Sequence, residues 1–524
     1  MRGSSLVLSS TLLSCANALQ LHKRHNPSVV SVNFEKRTKD VFPSHEKRDS
    51  DAVVEMKVDQ QGFLYWANFT IGNPPQRLSA EIDTGSSDLL VLTNQIKTCK
   101  KKDCQGGIFN PEKSDTFEWS DEQVSGSFGS GESWAGEYAN DTFTLGSSTL
   151  DSFQFVGVTE FNATTSGIFS IFGVGVYSLE HADIKYPNLP YALANAGEIN
   201  TPAFSLWLNN ETHGEFLFGG VNKAKYIGPL VTYPVAADDT FDVRDRALVV
   251  MTGFGTTSGG KTSDLEFKSR PVLLDSGTIQ SRLSLNMTLH LIKTMKVSMD
   301  EKLGAVAPCN TSSKETLDFT FGDLTLNVAL ANFLSTTPVK SGVDGVAYCK
   351  VVYYEDSTSI VLGDDFLRGV YVVYDWGNME ISLAQYNSEE AEDDIHEIVR
   401  DIPSASAATG VPTMYLKYNQ PAESAGTEIP TELPTITATP LSTATGSGTG
   451  SAEASSTTAE AGDDEDSGAT GGLPTNLMFM MLLAFVFSVI LNFIAKANKV
   501  KRKDGTGLAD ISATTIPLGS SKTH

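Results

Sequence analysis

Asp83-Thr84-Gly85-Ser86 and Asp275-Ser276-Gly277-Thr278 are two copies of one short pattern, Asp-Ser/Thr-Gly-Ser/Thr. The first follows an extended run ending at Ile82, and the second follows Val272-Leu273-Leu274. Beyond each copy an apolar pair and a glycine recur: Ile171-Phe172-Gly173 and Val361-Leu362-Gly363. Asp83 to Gly173 is 90 residues, and Asp275 to Gly363 is 88. One such tetrapeptide arises by chance in a chain of this length at roughly a few per cent. Alone it reads as an Asx-type turn, which Asp and Gly form readily. Two copies, each after an apolar strand and each with the same distant partner, are poorly explained by turns. They indicate a duplicated lobe, with one aspartate from each copy.

Two carboxylates held close cannot both ionise cheaply, so such a pair shares one proton. Its charged member can act as general base on a water. Its protonated member can polarise a carbonyl and later protonate a leaving amine. Gly85 and Gly277 let the backbone turn tightly beside the pair. The hydroxyls of Thr84, Ser86, Ser276 and Thr278 can hydrogen-bond the carboxylates and neighbouring backbone, fixing the geometry. Asp83 and Asp275 are therefore the candidate catalytic residues.

Around these motifs, residues 49–393 alternate short apolar runs with Gly, Asn, Asp and Pro turns. Phe63 to Ile71, Arg77 to Ile82, Ser152 to Val158, Phe216 to Phe218 and Val370 to Tyr374 read as strands. Tyr186 to Ala196 and Leu285 to Met295 read as helices. The class is mostly β. The full chain has 524 residues, 63 Asp+Glu against 39 Lys+Arg and a net charge of −24. That length implies more than one domain, and that charge excludes a nucleic-acid binder, which needs a basic face. The 27 Phe and 15 Tyr are ample for a packed core.

The ends differ in kind from the middle. Residues 1–18 read as a secretory signal: Arg2, an apolar Leu6 to Leu13, and Ala16-Asn17-Ala18 as the cleavage pattern. Cutting there removes Cys15 and leaves four cysteines, an even count that suits two disulfides in an oxidising compartment. Three pairings are possible; Cys99–Cys104 with Cys309–Cys349 keeps each bridge within one half of the chain. Sequons at Asn68, Asn140, Asn162, Asn210, Asn286 and Asn310 are expected to be exposed glycosylation sites. Residues 19–48 hold Lys23-Arg24, Lys36-Arg37 and Lys47-Arg48, with seven Lys/Arg against three Asp/Glu. They read as a propeptide that docks electrostatically on an acidic body and is cut by a processing protease behind Arg48.

From 394 to 472 the chain is rich in Ser, Thr, Pro, Gly and acid, which suits a disordered stalk with O-glycosylation. Residues 477–495 are 19 uncharged residues with one Asn. At about 1.5 Å per residue they span about 28 Å, close to the ~30 Å hydrocarbon core. Lys496, Lys499, Lys501, Arg502 and Lys503 follow, as the positive-inside rule favours. A GPI signal is the rival, since Ser467-Gly468-Ala469 precede the run, but a polar tail over 496–524 continues past it. A single-pass anchor with a cytosolic tail is expected. The placement is the secretory pathway and the plasma membrane, catalytic part outside, with a vacuolar membrane or a GPI anchor as alternatives.

Other chemistries find no motif. The sequence has no His-Glu-x-x-His, Cys-x-x-Cys, Gly-x-Ser-x-Gly or phosphate loop. His181, His213 and His290 read as surface or core residues rather than ligands. No metal or cofactor is expected.

The chain resembles the pepsin-like aspartic endopeptidases, and among them the fungal yapsin-like, surface-anchored group. The likeness covers about residues 58–385. It rests on the two Asp motifs and on Ile71-Gly72-Asn73-Pro74-Pro75-Gln76, Tyr186-Pro187-Asn188-Leu189-Pro190 and Phe218-Gly219-Gly220-Val221 with Ala224-Lys225-Tyr226. It extends to Leu362-Gly363-Asp364-Asp365-Phe366-Leu367-Arg368 and to Glu380-Ile381-Ser382-Leu383-Ala384. The resemblance implies a bilobal β fold, with lobes about 58–230 and 231–393, a peptide cleft between them and a β-hairpin flap. It implies a monomer acting on protein or peptide substrates through Asp83 and Asp275.

The flap is expected over Gln123 to Tyr138, with Phe128, Gly129 and Ser130 as substrate-facing residues. By the resemblance, the flap tyrosine of the family maps onto Phe128, and its tryptophan partner onto Leu90. Losing both polar partners together can be nearly neutral, so weaker catalysis is expected rather than none. The alternative is a weak or inactive pepsin-fold surface protein that binds peptides or wall components. Ile279-Gln280 also departs from the usual continuation of the second motif. Yapsin-like enzymes often cut beside Lys or Arg, and the acidic body leans the expectation that way. Against it stand Ser130, where related enzymes that accept a basic residue carry Asp, and the basic loop Lys100-Lys101-Lys102.

Overall fold

Phe63 to Ile71 forms a strand that alternates from Ala67 onward: Ala67, Phe69 and Ile71 are buried while Asn68 faces solvent, and before them Tyr65 and Trp66 are both buried. The computed structural model describes residues 28–38, 415–416, 438–440 and most of 63–412. Within 63–412 it leaves out 102–103, 129–130, 163–167, 209–212, 239–243, 301–302, 343–344, 356–358 and 390. The signal segment, Lys23-Arg24, Lys47-Arg48, Gly129, Ser130, Asn210, the apolar run 477–495 and the tail 496–524 lie outside the described residues. No helix among the described residues is long and apolar enough to cross a membrane.

The first lobe is built from β1 (Val30–Thr38), β2 (Phe63–Ile71), β3 (Gln76–Asp83), β4 (Leu89–Leu92), β5 (Cys104–Gln105), β6 (Glu118–Ser127), β7 (Ser133–Leu145), β8 (Ser148–Asn162) and β9 (Ile168–Gly173). It is followed by β10 (Ala203–Leu208), β11 (His213–Phe218), β12 (Gly220–Asn222) and β13 (Tyr226–Pro234). A 15-stranded sheet runs in the order Ala405–Ala407, β13, Glu380–Tyr386, Val370–Asp375, β10, β11, β1, β2, β3, β9, β4, β8, β7, β6, with β5 beside β9. Strands from both halves of the chain thus share one sheet. The expected lobe boundary at 230 falls inside β13, which pairs with Glu380–Tyr386.

Helices are few, as expected: α1 (Leu189–Asn195), α2 (Leu285–Thr294) and α3 (Asp364–Leu367). The Ser284 hydroxyl caps α2 by accepting from the Met287 amide at 3.4 Å, so the helix begins where the sequence supplies a cap. α1 begins three residues later than expected, at Leu189, with Pro190 in the first turn where proline is tolerated. Arg270–Leu274 carries the second motif and lies parallel to Val361–Leu362. In the first lobe β3 lies parallel to β9. Asp83 ends β3 beside Gly173 at the end of β9, while Asp275 and Gly363 each directly follow the ends of their paired strands.

Two expectations change. Within residues 19–48, where the sequence leads to an expectation of contact through charge, β1 lies between β11 and β2 in the sheet, with Val30 and Val32 buried. A missing β1 would leave two unpaired edges. The second change is the stalk boundary at 394. Ile395–Glu397 pairs with β12, Ala405–Ala407 pairs parallel to β13, and Ile398 and Ile402 are buried. Ile398 and Ile402, buried, with Ile395 and Ala405 packed against the same cluster, hold residues 395–408 as a strap on the body. The ordered body thus extends past 393.

The structure bonds Cys99 to Cys104 and Cys309 to Cys349. Asn68, Asn162 and Asn310 are exposed; Asn140 and Asn286 are half-buried.

Candidate active site

β3 and Arg270–Leu274 end side by side, and the two motif loops meet with matching bonds. The Gly85 amide donates to Asp83 Oδ1 at 2.7 Å and the Ser86 hydroxyl to Asp83 Oδ2 at 2.5 Å. The Gly277 amide donates to Asp275 Oδ1 at 2.9 Å and the Thr278 hydroxyl to Asp275 Oδ2 at 2.6 Å. The intervening residues exchange bonds across the loops. The Thr84 amide donates to Ser276 Oγ at 3.1 Å, and the Ser276 amide donates to Thr84 Oγ1 at 3.0 Å. The Thr84 hydroxyl donates to the Leu274 carbonyl and the Ser276 hydroxyl to the Ile82 carbonyl. Four bonds thus lock the two loops together through buried groups, where each bond is hard to replace with water.

The glycines are required by space. A Cβ on Gly85 would lie 2.7 Å from Asp275 Oδ1, and one on Gly277 would lie 2.5 Å from Asp83 Oδ1. Each loop therefore approaches the opposite carboxylate more closely than a side chain permits. Asp83 is 8% exposed. Burial first, and then the charge of Asp275, push its carboxyl up to about 7, against the lowering effect of its Ser86 and Gly85 donors. The pair so arranged can hold one proton and one charge at acidic pH, the state that general acid–base work on a water needs.

The flap expectation falls on a real hairpin. β6 pairs with β7 in register Val124↔Gly136 to Ser127↔Ser133, and the Phe128 amide donates to the Glu132 carbonyl at 2.9 Å. Phe128 and Leu90 belong to one apolar cluster with Trp66, Trp134 and Tyr138. Ile279, from the departure after the second motif, packs on the same cluster.

Three buried groups near the site were not singled out by sequence reasoning. The Tyr65 hydroxyl donates to Asp364, which also lies 3.3 Å from Arg368 Nε. Asp365 accepts from the Ser281 amide at 2.9 Å and from the Ser281 hydroxyl, fixing the chain just past the second motif. Burial pushes Asp365 up to about 7. Asp88 accepts from Tyr138 and Tyr186 hydroxyls at 2.8 and 2.9 Å and from His181. Its only signal in the sequence is its place five residues after Asp83. His290, expected as surface or core, is 8% exposed and 2.9 Å from the Ser263 carbonyl.

Comparison with known proteins agrees with this geometry. The family model of the eukaryotic aspartyl proteases matches residues 64–386. The chain is 34% identical to the probable aspartic-type endopeptidase OPSB of Arthroderma benhamiae, over 79% of this chain and 88% of that protein. It is 33% identical to the probable aspartic-type endopeptidase opsB of Aspergillus fumigatus, over 75% and 83%. It is 29% identical to the aspartic proteinase yapsin-3 of Saccharomyces cerevisiae, over 74% and 79%.

Proposed function

Because the chain belongs to the eukaryotic aspartyl protease family, we propose that Asp83 and Asp275 jointly activate one water to hydrolyse peptide bonds. The protein is an aspartic-type endopeptidase with yapsin-like relatives. The observation that carries the assignment to this pair is the matched anchoring of both carboxylates by the glycine amide and hydroxyl that follow each.

In the proposed reaction the ionised carboxyl takes a proton as the water oxygen bonds to the carbonyl carbon. The protonated carboxyl gives its proton to the carbonyl oxygen. The C–N bond then breaks, one carboxyl protonates the leaving nitrogen, and the other recovers a proton as the C=O re-forms. One acid and one amine leave, and the pair again shares a single proton. The test is digestion of an unbiased peptide library by the processed protein at several pH values, beside Asp83→Asn and Asp275→Asn. Acid-dependent cutting lost in both variants is expected; cutting that survives in either would remove the pair from the mechanism.

The finer reading is cleavage beside a basic residue, outside the cell, by a membrane-held enzyme. Support for the specificity is the net charge of −24. Matched peptides with Lys or Leu before the cut bond test it, and a preference for Leu would end it. Support for the placement is the signal-like segment, the sequons and the apolar run 477–495 followed by basic residues. Sedimentation of the mature protein with membranes, reversed by detergent but not by salt, is the expected behaviour.

A further inference from the structure

The flap hairpin of β6 and β7 places Phe128 and Leu90 in an apolar cluster, where neither side chain can make a polar bond. Its polar tether lies elsewhere. Asp88 sits between Asp83 and β4, and its carboxylate is almost fully buried. Tyr138 of β7 donates its hydroxyl to Asp88 Oδ1 at 2.8 Å, and Tyr186 donates to the same oxygen at 2.9 Å. The His181 amide donates to Oδ2 at 2.9 Å, and His181 Nδ1 lies 2.9 Å from it. Four groups from three residues, on β7 and on the loop that holds His181 and Tyr186, thus converge on one carboxylate. Bonds to a charged acceptor are about twice as strong as neutral ones.

The cluster reaches both flap strands. His181 packs edge-on to Trp134 of β7, with ring centroids 5.1 Å apart. A Cβ on Gly126 of β6 would lie 2.7 Å from Trp134 and 2.9 Å from His181 Nε2, so β6 lies directly on these rings. On the other side, the Asp88 carbonyl accepts from the Gly173 amide at 3.1 Å. A Cβ on Gly173 would lie 2.7 Å from the Asp88 backbone. Asp88 is therefore fixed at its backbone to the end of β9, which flanks Asp83 in the sheet, and at its side chain to the flap. Burial, followed by the charge of Asp88, holds the Tyr138 and Tyr186 hydroxyls up, so they remain donors throughout the working range.

We propose that Asp88 is the positioning residue of the flap: held by Tyr138, Tyr186 and His181, it sets how the hairpin stands over Asp83. This rests on the peptidase reading above and adds a residue that acts through the flap, not on the substrate. Asp88 belongs to the segment that follows Asp83, and Tyr138 to the buried base of the hairpin, where β7 pairs with β8. The pair therefore transmits position in a way that a general packing residue would not.

Tyr138→Phe and Asp88→Asn in the full-length, processed protein test it, with peptide kinetics run below each variant's Tm. Tyr138→Phe keeps the ring and removes one bond. It is expected to lower kcat/KM about tenfold. Asp88→Asn should lower it further, and the double variant should be no worse than Asp88→Asn alone, since one tether is being cut twice. Unchanged kcat and KM in Tyr138→Phe, or additive losses in the double variant, would overturn the proposal. Hydrogen exchange gives a readout independent of turnover. Amides of 123–128 and 131–136 should exchange about tenfold faster in Asp88→Asn, with the rest of the sheet unchanged. A rise spread evenly over the protein would mark Asp88 as merely structural. If the unsubstituted protein cleaves nothing, or Asp83→Asn still cleaves, the peptidase reading fails, while the exchange experiment still decides the role of Asp88.

Discussion

At the scale of the residue, Gly277 shows how little room the site allows. Any Cβ there lies 2.5 Å from a carboxylate oxygen of Asp83, closer than real Cβ contacts come. Gly277→Ala must push Asp83 or the loop aside, although its backbone conformation does not itself require glycine. Activity is expected to fall by at least about a hundredfold, since misplacement of reacting groups by about 1 Å has that effect. The Tm should move by only a few degrees, because the Thr84–Ser276 exchange still holds the loops. A Gly277→Ala enzyme with ordinary kcat/KM would mean that the loops do not meet as described. These residues were legible in the sequence because the pattern repeats. Asp88 and Asp365 were not, because a lone buried acid looks like any surface acid until its donors, Tyr138 and Tyr186 or Ser281, are brought to it from distant segments.

At the scale of the element, the strand at Phe63 to Ile71 and the recurring partner of each motif could be read from apolar runs, but the parallel pairing of each motif strand with that partner could not. Nor could the position of β1. A basic segment with three dibasic pairs reads as removable, and only the register Lys36↔Tyr65 and Arg37↔Leu64 shows that its middle is a central strand. A protease needs an extended, unpaired stretch of chain, so Lys36-Arg37 is protected while β1 is paired. Replacing Lys47 and Arg48 by Ala is expected to block processing in cells. Replacing Lys36 and Arg37 should leave the processed N-terminus unchanged. N-terminal sequencing of each secreted form checks this, and a mature chain beginning at Thr38 would show that the β1 ladder opens before cutting. The strap at 395–408 was missed for a related reason. It lies at the edge of a stalk-like composition, and a few apolar residues, Ile398 and Ile402 buried with Ile395, Ala405 and Ala408 beside them, carry the packing. Ending the chain after residue 393 should lower the Tm by about 5 °C or more relative to ending it after 412, because buried apolar contacts and two short ladders are lost. Equal Tm values would make the strap an ornament.

At the scale of the whole molecule, several buried acids act in the same direction. Burial and the charge of Asp275 raise Asp83 to about 7, and burial raises Asp365 to about 7 and Glu180 to about 8. Burial raises Asp375 and Glu215 as well. In the unfolded chain these carboxyls titrate near 4. Between about pH 4 and pH 8 the folded protein therefore binds more protons than the unfolded one, and stability must fall as pH rises through that window. The stabilising contribution is complete below the unfolded values and is lost as pH passes about 7 to 8. The Tm of the processed protein is expected to be higher at about pH 5 than at about pH 8, by more than 5 °C given several contributing groups. Asp365→Asn should flatten that dependence, since the amide cannot ionise and still accepts from Ser281. A Tm that rises with pH over this range would mean that these acids are ionised in the fold and held by donors. The same window favours the singly protonated Asp83–Asp275 pair, so the acidity that readies the active site is also the acidity in which the body around it is most stable.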